Sequence, residues 1–206
     1  MRVPPPESPQ GGVARRQLRA DLAARRRGVA PTERAQAALL VARHADRAVK
    51  LRAGWRIAVY AALPQELDTA PLIALARERG CRIFLPRIDR RRRSRAMQFI
   101  EMAGPLRPNR LGIAEPQAAA ALGARWLDVV FLPLVGFDRH GVRLGTGGGY
   151  YDRAFAYRRW RRAWRGPRLI GLGYSFQRLE RITAAPHDVL MDAVVTEKGV
   201  IRCVTG

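Results

Sequence analysis

Four glycines fall within five residues in the segment Arg143-Leu144-Gly145-Thr146-Gly147-Gly148-Gly149-Tyr150-Tyr151-Asp152-Arg153. Residues of these types at this spacing can handle phosphate. Glycine lets a backbone approach an anion closely, and successive N–H groups in a turn form a concave anion site. Arg143, just before the glycines, can pair with phosphate oxygens, and Asp152, just after them, can hold a magnesium ion. The apolar run Phe131-Leu132-Pro133-Leu134-Val135 leads into the segment. A helix is expected after it, whose N-terminus would add partial positive charge. No Gly-Lys-Ser/Thr ending is present, which excludes a Walker A loop, and the spacing and late position exclude a dinucleotide fingerprint. A glycine-rich turn packed against a helix would use the same glycines. The attached arginine, tyrosine pair and aspartate favour the phosphate role.

Such a loop needs a sheet to hold it, and the chain supplies the pattern. Leu18 and Leu22, four apart, mark a helix over 13–27 that Gly28 ends, and Thr32 is a candidate N-cap for a second, alanine-rich helix to about Leu51. Asp68-Thr69-Ala70-Pro71 has the chemistry of a third helix start, closed at Gly80. Between and after these lie apolar runs at 56–62, 82–85, 96–102, 128–133, 169–174, 193–196 and 200–204, about seven strands. Apolar strands separated by helical segments predict an α/β fold: a single open, mostly parallel or mixed sheet with helices on both faces, Rossmann-like and three-layered. In such sheets ligands gather outside the carboxyl ends of the strands, where the glycine loop falls. Residues 1–12 hold four prolines and two glycines and are expected to be a disordered leader, with 13–206 a single α/β catalytic domain.

The whole chain has 206 residues and a formal charge of +21, and all of its 38 basic residues except Lys50 and Lys198 are arginine. Hydrophobic content of 48% separates it from a disordered basic tail. No apolar run is long enough to span a membrane, and the start lacks the apolar stretch of a secretory signal. Two cysteines, Cys81 and Cys203, offer neither a disulfide framework nor zinc spacing. A soluble, cytoplasmic protein is the expectation. The charge suits either nucleic acid or small polyanions such as nucleotides and polycarboxylates. Arginine clusters at 25–27, 90–95 and 158–165 motivate a nucleic-acid alternative, though no nucleic-acid motif accompanies them. A sugar-phosphate or acyl-transfer enzyme on a similar sheet is a further alternative, since fold does not set function.

The segment 143–153 resembles the signature of the 5-formyltetrahydrofolate cyclo-ligase (5,10-methenyltetrahydrofolate synthetase) family. Five further blocks resemble that family in order: Tyr60-Ala61-Ala62-Leu63-Pro64-Gln65-Glu66-Leu67-Asp68-Thr69, Leu85-Pro86-Arg87, the stretch 109–116, Gly171-Leu172-Gly173-Tyr174-Ser175-Phe176-Gln177, and the stretch 186–197. The resemblance covers roughly residues 13–197. It implies conversion of 5-formyltetrahydrofolate into 5,10-methenyltetrahydrofolate with magnesium and ATP, releasing ADP and phosphate.

By this resemblance Arg143, Leu144, Gly145, Thr146, Gly147, Gly148, Gly149, Tyr150 and Tyr151 would hold ATP, joined from the first helix by Arg15 and Arg19. Glu66 would recognise the folate, which Thr146, Gly147, Gly148, Gly149 and Tyr150 would border. Asp152 and Asp188 would be magnesium ligands, with Arg143 and Tyr151 the catalytic candidates. The implied partners are 5-formyltetrahydrofolate and ATP, with no specific nucleic acid, no membrane and a monomeric chain. Arg15 stands where the family has lysine. A guanidinium is a planar fork rather than a compact point charge, so its geometry toward phosphate differs.

Overall fold

The computed structural model describes residues 9–88, 97–103, 106–108, 114–116, 121–159 and 166–204. Residues 1–8 of the expected leader, the basic run 90–95, residues 109–113 of the central block and residues 160–165 of the last arginine cluster lie outside them. Helix α1 runs Pro9–Arg27 and α2 runs Pro31–Val49. The N-cap of α2 is Ala30 rather than Thr32. Pro31 is the reason: its fixed φ and missing N–H suit the first helical position, so the cap is the residue just before it, two positions ahead of Thr32. Strand β1 (Arg56–Ala58) leads to α3 (Ala70–Glu78) and β2 (Arg82–Ile88). Thr69 precedes α3, but its Oγ1 donates to the Tyr60 carbonyl at 2.9 Å, and Asp68 Oδ1 accepts the Ala70 N–H instead.

Strands β3 (Met97–Glu101), β4 (Leu106–Pro108), β5 (Ala114–Pro116) and β6 (Ala121–Leu122) follow. Next come β7 (Val129–Pro133), the short hairpin β8 (Gly136–Phe137) and β9 (Arg143–Leu144), and helix α4 (Tyr150–Ala154). Strands β10 (Arg168–Leu172), β11 (Ala193–Thr196) and β12 (Gly199–Arg202) close the chain. Among the described residues the main sheet has eight strands in the order β12-β11-β10-β7-β1-β2-β3-β6. Its five central strands are parallel, and β12, β3 and β6 pair antiparallel at the two edges.

Alternation along the strands sorts the core into two layers. Val129 and Phe131 face α2 and α3, packing with Val41, Ala45, Leu72 and Ala76. Val130 and Leu132 face the other side, where Phe99 and Phe155 meet with ring centroids 6.0 Å apart. The alanines of α2 let that helix lie close to the sheet. A third, smaller cluster of Leu22, Val135, Val142, Leu144 and Ile182 seats α1 over the β8–β9 hairpin.

Connectivity then locates the crevice. From β1 the chain crosses outward to β2, whereas from β7, its neighbour in the sheet, it crosses the other way to β10. Diverging loops at the carboxyl ends of β1 and β7 leave the cleft in which open α/β sheets bind ligands.

Candidate active site

The hairpin that follows β7 is built around a buried carboxylate. Asp138 is fully buried, and its Oδ1 accepts the N–H groups of His140 at 2.9 Å and Val142 at 3.0 Å. Its Oδ2 accepts the Ile182 N–H at 2.9 Å, tying the hairpin to the C-terminal part of the chain. Gly141 makes the turn at φ +83°, and a Cβ there would lie 2.5 Å from the Met191 carbonyl oxygen. This scaffold aims β9 and the glycine loop at the crevice.

Within the loop, Gly147 and Gly149 take φ +101° and +61°, conformations that side-chain-bearing residues rarely adopt. Thr146, Gly147 and Gly148 are exposed, with Gly145, Gly149 and Tyr150 half-buried beside them. Leu144 differs from its neighbours: its side chain is buried in the hairpin cluster and its carbonyl accepts the Val135 N–H at 2.7 Å. The helix after the loop spans five residues, so any anion affinity comes from the loop's own N–H groups more than from a helix dipole. Arg153 Nη2 braces the loop by donating to the Gly148 carbonyl at 2.9 Å.

Two ion pairs flank it. Arg143 Nη2 donates to Asp152 Oδ1 at 2.9 Å, with Arg143 only 6% exposed. Arg15 Nη2 donates to Asp188 Oδ2 at 3.2 Å and to the Thr183 carbonyl. The pairs are joined by backbone, because Val189 N–H donates to Asp152 Oδ1 at 3.1 Å. Arg19, one turn along α1 from Arg15, donates from Nε to the Gly145 carbonyl at 2.8 Å. The structure therefore brings Arg15, Arg19, Arg143, Asp152 and Asp188 to one rim of the loop.

Glu66 stands on the other wall, in the turn after β1, where its Oε2 accepts the Leu63 N–H at 3.1 Å. Burial pushes its carboxyl above the usual range, opposed by that N–H and by the charge of Arg26. Tyr151 connects the walls. Its ring lies under the Arg143 guanidinium at 5.7 Å, and its phenol is pushed well up by burial, with Arg143 opposing and Glu66 adding to the rise.

Comparison with protein families matches residues 12–197 to the 5-formyltetrahydrofolate cyclo-ligase family. The chain belongs to the 5-formyltetrahydrofolate cyclo-ligase family. It is 30% identical to the 5-formyltetrahydrofolate cyclo-ligase of Haemophilus influenzae over 187 residues, 88% of this chain and 97% of that one. It is 35% identical to the Escherichia coli K12 cyclo-ligase over 144 residues, 68% of this chain and 76% of that one. Against the mitochondrial cyclo-ligase of Arabidopsis thaliana it is 35% identical over 134 residues, 58% of this chain and 48% of that longer one, so the chain spans about half that relative's length. The solved structure of Aquifex aeolicus 5,10-methenyltetrahydrofolate synthetase superposes with a TM-score of 0.77 at 26% identity, covering 93% of this chain and 94% of that one. Sequence resemblance and fold agree on a cyclo-ligase family enzyme.

The family implies a divalent cation, and the donor set suits magnesium. Asp152 Oδ2 accepts no hydrogen bond among the described residues, and Asp188 Oδ1 has only His187 Nε2 at 3.9 Å. Among the described residues no three His, Cys, Asp or Glu side chains gather as a metal cluster. Magnesium takes one or two carboxylates and completes its shell with water and phosphate, whereas a closed zinc site needs more protein ligands. Sequence reasoning assigned no role to Asp138, Arg26, Tyr60 or Tyr174, all of which are buried in the structure. Arg26 was hidden in the Arg25–Arg27 run, and Asp138 in an unremarkable turn.

Proposed function

We propose that this chain converts 5-formyltetrahydrofolate into 5,10-methenyltetrahydrofolate with ATP and magnesium, as a monomer in the cytoplasm, within one-carbon folate metabolism. The formyl oxygen on nitrogen 5 attacks the γ-phosphorus of ATP, and the bond from that phosphorus to the ADP oxygen breaks. Nitrogen 10 then attacks the activated formyl carbon, its proton leaves, and inorganic phosphate departs with the former formyl oxygen. Little covalent chemistry falls to the protein, so positioning and charge neutralisation supply the rate.

The loop 145–149, bounded by Leu144 and Tyr150, would cradle the phosphates through backbone N–H groups. Arg143, with Arg15 and Arg19 on one face of α1, would offset the negative charge that develops on them. Asp152 and Asp188 would hold the magnesium ion, which supplies charge neutralisation at phosphate oxygens. Glu66 on the facing wall would accept N–H groups of the pterin, and the Tyr151 phenol, held neutral by burial, would pack the folate against Arg143. The observation that carries this reading is the junction of the two ion pairs through Val189, facing Glu66 across the β1–β7 cleft.

The test mixes protein, magnesium, ATP and 5-formyltetrahydrofolate and follows the methenyl chromophore. Absorbance should rise only when all are present. A rise without ATP, or none with folded protein, removes this assignment. Sedimentation at working concentration checks the monomer.

A further inference from the structure

Four segments outside the crevice enclose a second cavity of about 640 Å³, a volume usual for small-molecule sites. Tyr174 and Phe176, just past β10, line it with rings stacked 5.3 Å apart at an interplanar angle of 7°. From α2 come Glu33, Gln36, Ala37 and Leu40, three and four apart and so on one helix face. Arg25 and Val29 contribute from the end of α1, and Glu197 and Lys198 from the turn between β11 and β12. None of these belongs to the glycine loop, to its two flanking ion pairs or to the Glu66 turn. Arg25 is ten residues beyond Arg15 on α1, which puts it about 15 Å farther along the helix axis.

Local contacts hold this lining in shape. The Tyr174 N–H donates to Gln177 Oε1 at 2.7 Å, and the Gln177 N–H donates back to the Tyr174 carbonyl at 3.0 Å. Ser175, between the two ring-bearing residues, donates its N–H to Glu197 Oε2 at 2.8 Å and its hydroxyl to Glu197 Oε1. The Arg25 guanidinium lies 4.8 Å from the centre of the Phe176 ring, and its Nη1 donates to the Phe176 carbonyl at 3.4 Å. Rings and a guanidinium fixed in advance reduce the ordering that a ligand must impose. The two bases and two acids of the lining balance formally but are not equivalent. Glu197 commits both oxygens to Ser175, and Glu33 is exposed in the first turn of α2, where the helix N-terminus offsets it. Arg25 and Lys198 have no carboxylate partner among the described residues, on a chain of charge +21. A partly aromatic interior with two such cations suits a flat aromatic body bearing one anionic group.

We propose that this cavity is a second small-molecule site, separate from the β1–β7 crevice, that binds a flat aromatic carboxylate. The ring packs against Phe176 and the aliphatic side chains of Val29 and Leu40. The carboxylate is taken by Lys198 and by the N–H groups of Arg25 that do not face the Phe176 carbonyl. This assignment does not rest on the cyclo-ligase reading, because no residue of the lining takes part in it.

The experiment titrates 2-naphthoate into the full chain carrying 13C-labelled alanine, valine and leucine methyls and follows them by NMR at pH 7. The signals of Val29, Ala37 and Leu40 should shift and saturate together. 2-Naphthylmethylammonium, with the same ring and the opposite charge, should bind about tenfold more weakly or worse. Arg25→Gln and Lys198→Gln should each weaken naphthoate about 2- to 5-fold, and Glu33→Gln should tighten it within the same range. Phe176→Ala should abolish most of the binding, and Leu40→Gln serves where that variant does not fold. Absence of a saturable shift at the three methyls overturns the proposal. So does equal binding of the cationic probe, or an unchanged affinity in both Arg25→Gln and Lys198→Gln. Naphthoate should stay bound when magnesium, ATP or 5-formyltetrahydrofolate is added; competition by any of them would make the cavity part of the crevice and overturn the separate site.

Discussion

Asp152 answers two demands at once: its Oδ1 neutralises the nearly buried Arg143, and its Oδ2 accepts no hydrogen bond among the described residues. Asp152→Asn keeps the size and an acceptor but loses the charge. A loss of roughly 2 kcal/mol in unfolding free energy is expected, because Arg143 is left with a neutral partner. Turnover should fall much further, with the magnesium needed for half-maximal rate rising about 10- to 100-fold. A magnesium titration beside a urea melt separates the two effects, and an unshifted magnesium midpoint would remove Asp152 from the metal role. The thiols give a contrasting residue-scale expectation. Burial pushes Cys203 up to about 12, helped by Asp192 and Asp138, and burial also raises Cys81. At pH 8 only about one Cys203 in ten thousand is a thiolate, so alkylation of the folded chain should be far slower than of the unfolded one. Equal rates in both states would contradict that.

At the scale of elements, the loop depends on two supports that carry no ligand themselves. The β8–β9 hairpin turns at Gly141, where φ is +83° and the Met191 carbonyl closes off the space for a side chain. Gly141→Ala should cost about 2 kcal/mol or more through backbone strain and this contact, and it should lower turnover by displacing Arg143. Thermal melting and the chromophore assay would show both; a melting point within a degree of the parent would mean that the turn tolerates a Cβ. On the opposite side, α4 holds Asp152 in place because Phe155, at its C-cap, is fully buried against Phe99. Phe155→Ala should cost about 3–5 kcal/mol by leaving a cavity in the second core layer. The strand and helix sequence was legible from apolar runs and breakers, since β7 and β10 are buried on both faces and read as unbroken hydrophobic stretches. The shortness of β1 was not, because Val59 and Tyr60 are as buried as the strand yet already turn into the crevice.

The whole molecule carries a charge of +21 on a fold in whose site rim Arg15 and Arg143 are ion-paired and Arg19 donates to the Gly145 carbonyl. Nucleic acid should bind this surface weakly and without sequence preference, and the binding should fade between about 50 and 200 mM salt. Retention of a selective complex at the higher salt would favour the nucleic-acid alternative. Alkali is the other global lever. Four of the five tyrosines, Tyr60, Tyr151, Tyr157 and Tyr174, have phenols raised chiefly by burial, Tyr157 to about 12. The unfolded chain gives up these protons near pH 10 while the folded chain keeps them, so stability is full below that pH and falls as pH rises. Ultraviolet titration should show most tyrosinate appearing together with unfolding; full ionisation of a still-folded chain would contradict the burial of these rings.

By itself the sequence determined the alternation of strands and helices, the place of the glycine loop after an apolar strand, and the family to which the chain belongs. The first two are properties of neighbouring residues, set by backbone freedom, periodicity and local charge, and the family was read from the resemblance of six blocks in order; all survive without knowing what packs where. Only the tertiary structure decided which arginines are counter-ions and which are surface. Arg25, Arg26 and Arg27 are alike in the chain, yet Arg26 alone is buried, against a carbonyl 108 positions away. It also decided that Asp138 is a hairpin strut, and that Asp152 and Asp188 share a rim through Val189. The physical reason is that the cost of a buried charge depends on which distant groups surround it, and only the folded chain brings those groups together.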